Sequence, residues 1–246
     1  MKFRPLWLLT VCLLAAVFAS GCIVIDLNGC SSAKVTGSGN VVSETRQVAE
    51  FNKIHIKGAG KAFLTQGDRP AIEIKTDDNI MPVIKTEVTE GKLVVSHEGY
   101  NLRPTTLNYF ITVGDLKAVA VSGSADITGN GIFASDNFSA DISGSGDMQL
   151  ELEVGSLESD ISGSGSMLFS GKTDFLDASI TGSGDISALD LEARNVSLKI
   201  TGSGDCEVSA SETLNVKITG SGDVKYKGSP QISQKITGSG KLRRRN

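Results

Sequence analysis

An aspartate follows five of seven regularly spaced Gly-Ser-Gly or Gly-Ser-Ala triplets: Asp126, Asp147, Asp185, Asp205 and Asp223. Ser166 and Lys241 hold that place after the other two. Carboxylates offered at near-regular intervals could hold calcium weakly, because calcium takes several oxygen ligands. Two of them could flank a glycosidic bond as an acid and base pair. In the simplest reading, each accepts backbone N–H groups in its own turn. The triplet serines suggest nucleophiles, but repeated hydroxyls without an adjoining base make no mechanism. The two histidines, His55 and His97, stand far from any Cys/His ligand spacing. A catalytic centre needs a local departure that perturbs its groups. The departures here are Ser166, Lys199, Cys206, Lys217 and Lys225, none joined to a histidine by spacing. The expectation is a non-enzyme without a resident cofactor, with calcium at the five aspartates as the one exception to test.

The elements that would position these residues follow from the interval. The first glycines are Gly123, Gly144, Gly163, Gly182, Gly202, Gly220 and Gly238, with steps of 21, 19, 19, 20, 18 and 18 residues. Such self-similarity signals a solenoid. Around each triplet apolar and polar residues alternate, as in FSADISGSGDMQLELE, and a period of two means strand. Ile142, Ile161, Ile180, Ile200 and Ile218 recur before the triplets, and Phe138, Leu157, Leu176, Val196 and Leu214 stand four residues earlier in each copy. A straight strand of this length would span about 60 Å, so each copy must turn. Glycine and short polar residues provide the turn. The predicted fold is all-β: a β-helix or β-solenoid of about 18–21 residues per coil. Isoleucine would stack on isoleucine inside, with small corners stacking at the triplets. A flexible Gly/Ser linker would not keep β-branched residues at fixed offsets.

The 46–117 stretch, with FNKIHIKG, AIEIKTD, KLVVSHEG and NYFITVGDLKAVAVSG, reads as a β-rich N-terminal part that caps the stack. It runs directly into the repeat array, 118–242. Residues 22–45 read as a tether and 243–246 as a basic tail whose arginines discourage edge pairing. At 246 residues and 39% hydrophobic the chain suits a folded domain. A net charge of −4 and only 5% aromatic residues argue against a nucleic-acid partner.

The chain opens MKFRPLWLLTVCLLAAVFASGC: a basic start, an apolar run and small residues, the pattern of a secretory signal over 1–21. The cysteine after ASG resembles a bacterial lipobox, which makes Cys22 the expected lipidation site, with Cys30 of LNGC as the alternative. Neither is followed by aspartate, so the resemblance implies an outer-membrane lipoprotein of the cell envelope, with the side of the membrane left open.

Two stretches carry a wider resemblance: IHIKGAGKAFLTQGDRPAIEIKTDDNIMPVIKTEVTEGKLVVS, and LKAVAVSGSADITG with its later copies. Over roughly residues 48–240 they resemble the bacterial family called putative auto-transporter adhesin, head GIN domain. The resemblance implies a β-helical, exported, adhesin-like protein with no established enzyme activity. The expected partners are an envelope protein or an extracellular glycan, with self-association into a homo-oligomer also suited to a long ladder. Two other classes stay open: a carbohydrate-active β-helix working on surface polysaccharide, and a scaffold or sensory partner in envelope signalling.

Overall fold

The computed structural model describes residues 33–245. The signal segment, Cys22 and Cys30 lie outside the described residues. Sixteen strands follow in order. The N-terminal part contains β1 (Ala33–Thr36), β2 (Val41–Gln47), β3 (Lys53–Gln66), β4 (Ala71–Asp77), β5 (Lys85–Thr89), β6 (Lys92–Ser96), β7 (Tyr100–Arg103) and β8 (Leu107–Val113). The array contains β9 (Ala118–Gly144), β10 (Asp147–Gly163), β11 (Ser166–Gly182), β12 (Asp185–Gly202), β13 (Cys206–Gly220), β14 (Val224–Gly228), β15 (Gln231–Gly238) and β16 (Leu242–Arg244).

From β9 onward successive coils pair in parallel, and the predicted columns are present. Ile142, Ile161, Ile180, Ile200, Ile218 and Ile236 are register partners from one coil to the next. The first five are at most 2% exposed. Phe138, Leu157, Leu176, Val196 and Leu214 form a second buried column, which ends at Ile232, 40% exposed. The solenoid is therefore held by a core that no single coil could close, because each apolar side chain is buried by its counterparts above and below.

The corner explains the glycines. Gly182 and Gly202 have φ of +125° and +129°, and a Cβ on either would overlap the carbonyl oxygen of the glycine one coil earlier. That oxygen is occupied, since the Ser203 N–H donates to Gly182 O at 2.8 Å. A positive φ and a backbone in contact leave only glycine.

The structure corrects the N-terminal organisation. Residues 33–45, expected within the tether, contribute β1, which pairs with β7, and most of β2, which pairs with β4. A coil also precedes the first predicted triplet: β3 lies in parallel register with β9, Gly58 on Gly123. Its Gly58-Ala59-Gly60 corner is covered by His97, whose Nε2 accepts the Ala59 N–H at 3.0 Å. His97 Nδ1 lies 3.2 Å from Tyr100 O, so with Nε2 accepting, Nδ1 is the ring nitrogen placed to donate. An earlier triplet, Gly37-Ser38-Gly39, is no corner of the stack. Buried Asp77 holds it, accepting the N–H groups of Gly39 and Thr105, each at 2.8 Å. At the other end Arg243 and Arg244 belong to β16, paired with β14, and not to a free tail.

Candidate functional site

The aspartates do form one row. Lys61, Asp126, Asp147, Ser166, Asp185, Asp205, Asp223 and Lys241 follow one another coil by coil, with a lysine at each end. Four of the five carboxylates, all but that of Asp126, are already in use. Asp147 accepts the N–H of Ser166 at 3.2 Å, Asp185 that of Asp205 at 2.9 Å, and Asp223 that of Lys241 at 2.8 Å. The cap thus reaches across to the next coil instead of closing its own turn. Among the described residues no three His, Cys, Asp or Glu side chains gather as a metal site. A cation at the row would find single-file oxygens, one of each pair already bound to an N–H at Asp147, Asp185, Asp205 and Asp223.

The other departures separate. Cys206 is buried in the column of Met148, Met167 and Ile186, and burial pushes its thiol well above the ordinary range. It is therefore unreactive. Lys225 pairs with Glu207 at 2.8 Å. Lys199 and Lys217 belong to a feature that only the coil register reveals.

That feature is the sheet face just before the corner. Its outward positions form columns. One holds Ser143, Ser162, Thr181, Thr201, Thr219 and Thr237, all exposed. Ser122 begins it, one residue before Gly123, whose oxygen accepts the Ser145 N–H. The column two residues earlier holds His55, Ala120, Asp141, Asp160, Ser179, Lys199, Lys217 and Lys235. Neighbouring members sit about 4.8 Å apart, the spacing of paired strands. The result is a flat strip of hydroxyls beside a charged strip that runs from basic through acidic to basic.

Two places on this strip are perturbed. Asp160 is half-buried, and its pKa is raised by burial, then by the adjoining Asp141, with Asp177 adding to it. His55 is held below its ordinary value by burial and then by Lys57 and Lys92, against the pull of Asp141. Its Nε2 is 2.8 Å from Ser122 Oγ, which ties it to the hydroxyl strip. Beside it a cavity of about 470 Å³ opens over Ala118 and Ala120.

A larger concavity, about 720 Å³, follows the mid-coil bend near Gly155 and Gly228. At one side of it Arg194 pairs with Glu212 at 2.6 Å and with Asp174 at 3.6 Å, a brace between coils. Glu153, Lys172 and Glu192 line the rest and form no salt bridge among the described residues.

No curated protein matches the sequence. Solved structures do. A Bacteroides fragilis "putative adhesin" aligns with TM-score 0.80 and 27% identity, over 85% of this chain and 99% of the other. A Parabacteroides distasonis "putative lipid binding protein" aligns with TM-score 0.74 and 25% identity, over 87% and 100%. A Parabacteroides merdae "putative adhesin" gives 0.70 and 26%, again over 87% and 100%. The model of the family described as putative auto-transporter adhesin, head GIN domain, matches residues 50–230. With the stacked glycine corners and the predicted columns in place, the chain belongs to that family.

Proposed function

We propose that the chain is a non-enzymatic cell-envelope protein that binds an extended partner along its Ser/Thr face. Membership of an adhesin family fits an adhesin-like envelope or surface protein. The observation that carries the reading is the in-register column from Ser143 to Thr237. A ligand that repeats can meet this face at several coils, and weak contacts then add through effective concentration. An extracellular glycan, or an envelope protein lying along the ladder, suits it; self-association through the same face would give a homo-oligomer. The anchor is an acyl chain on Cys22, or on Cys30, in the outer membrane. Among the described residues no helix is long and apolar enough to cross a membrane.

Two experiments test this. Isolated envelopes from cells lacking the protein are incubated with full chain carrying Thr181→Arg and Thr219→Arg, or the exposed control change Gln149→Arg. Relative to wild type, the paired ladder changes are expected to reduce binding at least ten-fold and the control not at all; equal binding by the wild type and both variants contradicts the reading. Separately, a clickable fatty acid is fed to cells making Cys22→Ala or Cys30→Ala. Loss of label from one variant identifies the anchor, and full label on both refutes both sites.

One observation favours a second reading. Asp141 and Asp160 are register neighbours on strands about 4.8 Å apart, and retaining glycosidases work with two carboxyl groups about 5–5.5 Å apart. Release of reducing sugar from envelope polysaccharide, abolished by Asp160→Asn, would establish catalysis. No release by wild-type protein would dispose of it.

A further inference from the structure

The cavity beside His55 has a composition that the flat part of the face lacks. Lys53, on β3, is the register partner of Lys92 on β6. Like charges directly opposite each other on paired strands are destabilising. Lys117 comes from the turn before β9, where its N–H donates to Asn52 O at 2.8 Å, next to Lys53. None of the three lysines forms a salt bridge among the described residues. They line one wall of the cavity over a floor of Ala118 and Ala120. Ala120 leaves space that longer side chains fill elsewhere in its column, where Asp141, Asp160 and Lys199 stand.

The opposite wall has the reverse character. Asp141 and Glu158 stand there with Ser139, whose Oγ donates to Asp141 Oδ2 at 2.9 Å. Carboxylate oxygens accept from hydroxyl groups and repel anions. A ligand that satisfies both walls carries an oxyanion at one end and hydroxyls at the other. A volume of about 470 Å³ is within the range of small-molecule sites and exceeds what a bare inorganic ion occupies.

We infer that this cavity is a subsite for an anionic sugar residue, its carboxylate or phosphate held by Lys53, Lys92 and Lys117 and its hydroxyls by Asp141 and Glu158. The subsite rests on the reading of the face as a binding surface and names what its N-terminal end would select. An acidic saccharide seated there continues onto the Ser/Thr strip through Ser122, the hydrogen-bond partner of His55.

The test is isothermal titration calorimetry on the full chain in detergent, with tetragalacturonate, glucose 6-phosphate, maltotetraose and inorganic phosphate as separate probes. At least one charged sugar is expected to bind ten-fold or more tightly than maltotetraose. Lys53→Ala with Lys92→Ala, both at exposed positions, should remove that preference at an unchanged melting temperature, and Asp141→Asn should weaken the charged sugars more than inorganic phosphate. Charged sugars no tighter than maltotetraose, or a double variant with undiminished preference, overturn the subsite. Inorganic phosphate binding as tightly as glucose 6-phosphate also overturns it, leaving an adventitious ion only. Thr181→Arg with Thr219→Arg lies outside the cavity. Envelope binding that these changes abolish, without any charged-sugar preference, sinks the subsite and leaves the face standing. The converse result sinks the face as the wider binding surface.

Discussion

Asp223 donates its backbone N–H to Oδ1 of Asp205, one coil earlier, at 2.7 Å. Asp205 does the same to Asp185 at 2.9 Å. Each carboxylate fastens the start of the next coil's strand, so the row acts as a seam. Hydrogen bonds to a charged acceptor contribute about 1.5–3 kcal/mol. Asp205→Ala is expected to lower unfolding stability by about 1–2 kcal/mol after allowance for exposure. Asp205→Asn keeps an accepting oxygen and should cost less. Urea midpoints for the two variants measure the difference; an alanine variant as stable as wild type would remove the seam's role.

The same seam bears on calcium. With one oxygen of each bonded aspartate committed, millimolar calcium is expected to leave the melting temperature where equal magnesium leaves it. A calcium-specific rise of several degrees would show that the ion binds the native row after all, since ligands of the folded state stabilise it by mass action.

The corner separates two changes one residue apart. Gly202→Ala meets both a φ of +129° and the Gly182 carbonyl oxygen. The expected cost is about 3 kcal/mol or more, from backbone strain and overpacking together. Ser203, in the same triplet, is exposed, and Ser203→Ala should stay within about 0.5 kcal/mol. Inside, Ile180→Ala opens a cavity in the isoleucine column and should cost about 2–5 kcal/mol. Chemical denaturation of the three variants gives the order directly, and a Gly202→Ala protein as stable as Ser203→Ala contradicts the stacked corner.

His55 makes stability depend on pH in one direction. Its pKa in the folded chain lies below 6.5, through burial first and then Lys57 and Lys92, with Asp141 opposing. The unfolded chain therefore binds more protons there, and stability falls as pH drops from 6.5 toward the folded value. Lys92→Ala removes one repelling charge and should move the His55 imidazole titration upward by NMR. An unchanged or lower titration would mean that Lys92 does not face the ring.

The repeat was readable because its physics is local. A glycine corner, an apolar β-branched residue before it and, in most copies, an aspartate after it recur every 18–21 residues, and each has one structural meaning. The coil at Gly58-Ala59-Gly60 is hard to see in sequence because alanine replaces serine there and the strands from β4 to β8, with antiparallel pairs β4–β8 and β5–β6 among them, separate it from Gly123. Residues 33–45 read as a tether because the pairing that orders them is distant: β2 needs β4, and β1 needs β7. The charged strip was hidden for a related reason. Asp141 and Asp160 are neighbours only once the coil length is fixed, and Lys53, Lys92 and Lys117 meet only through β3 and its partners. His97 stood alone in sequence, and its value as a lid on the first corner depends wholly on the Ala59 N–H beneath it.

The binding face is tested most directly by light-activated crosslinking in intact envelopes. A benzophenone side chain is placed at Thr201, within the hydroxyl strip, or at Gln149, exposed beyond the corner. Crosslinked envelope material, glycan or protein, is expected from Thr201 and lost when unlabelled full chain competes, while Gln149 yields none. Equal crosslinking from both positions, or crosslinking from Gln149 alone, would contradict the assignment of function to this face.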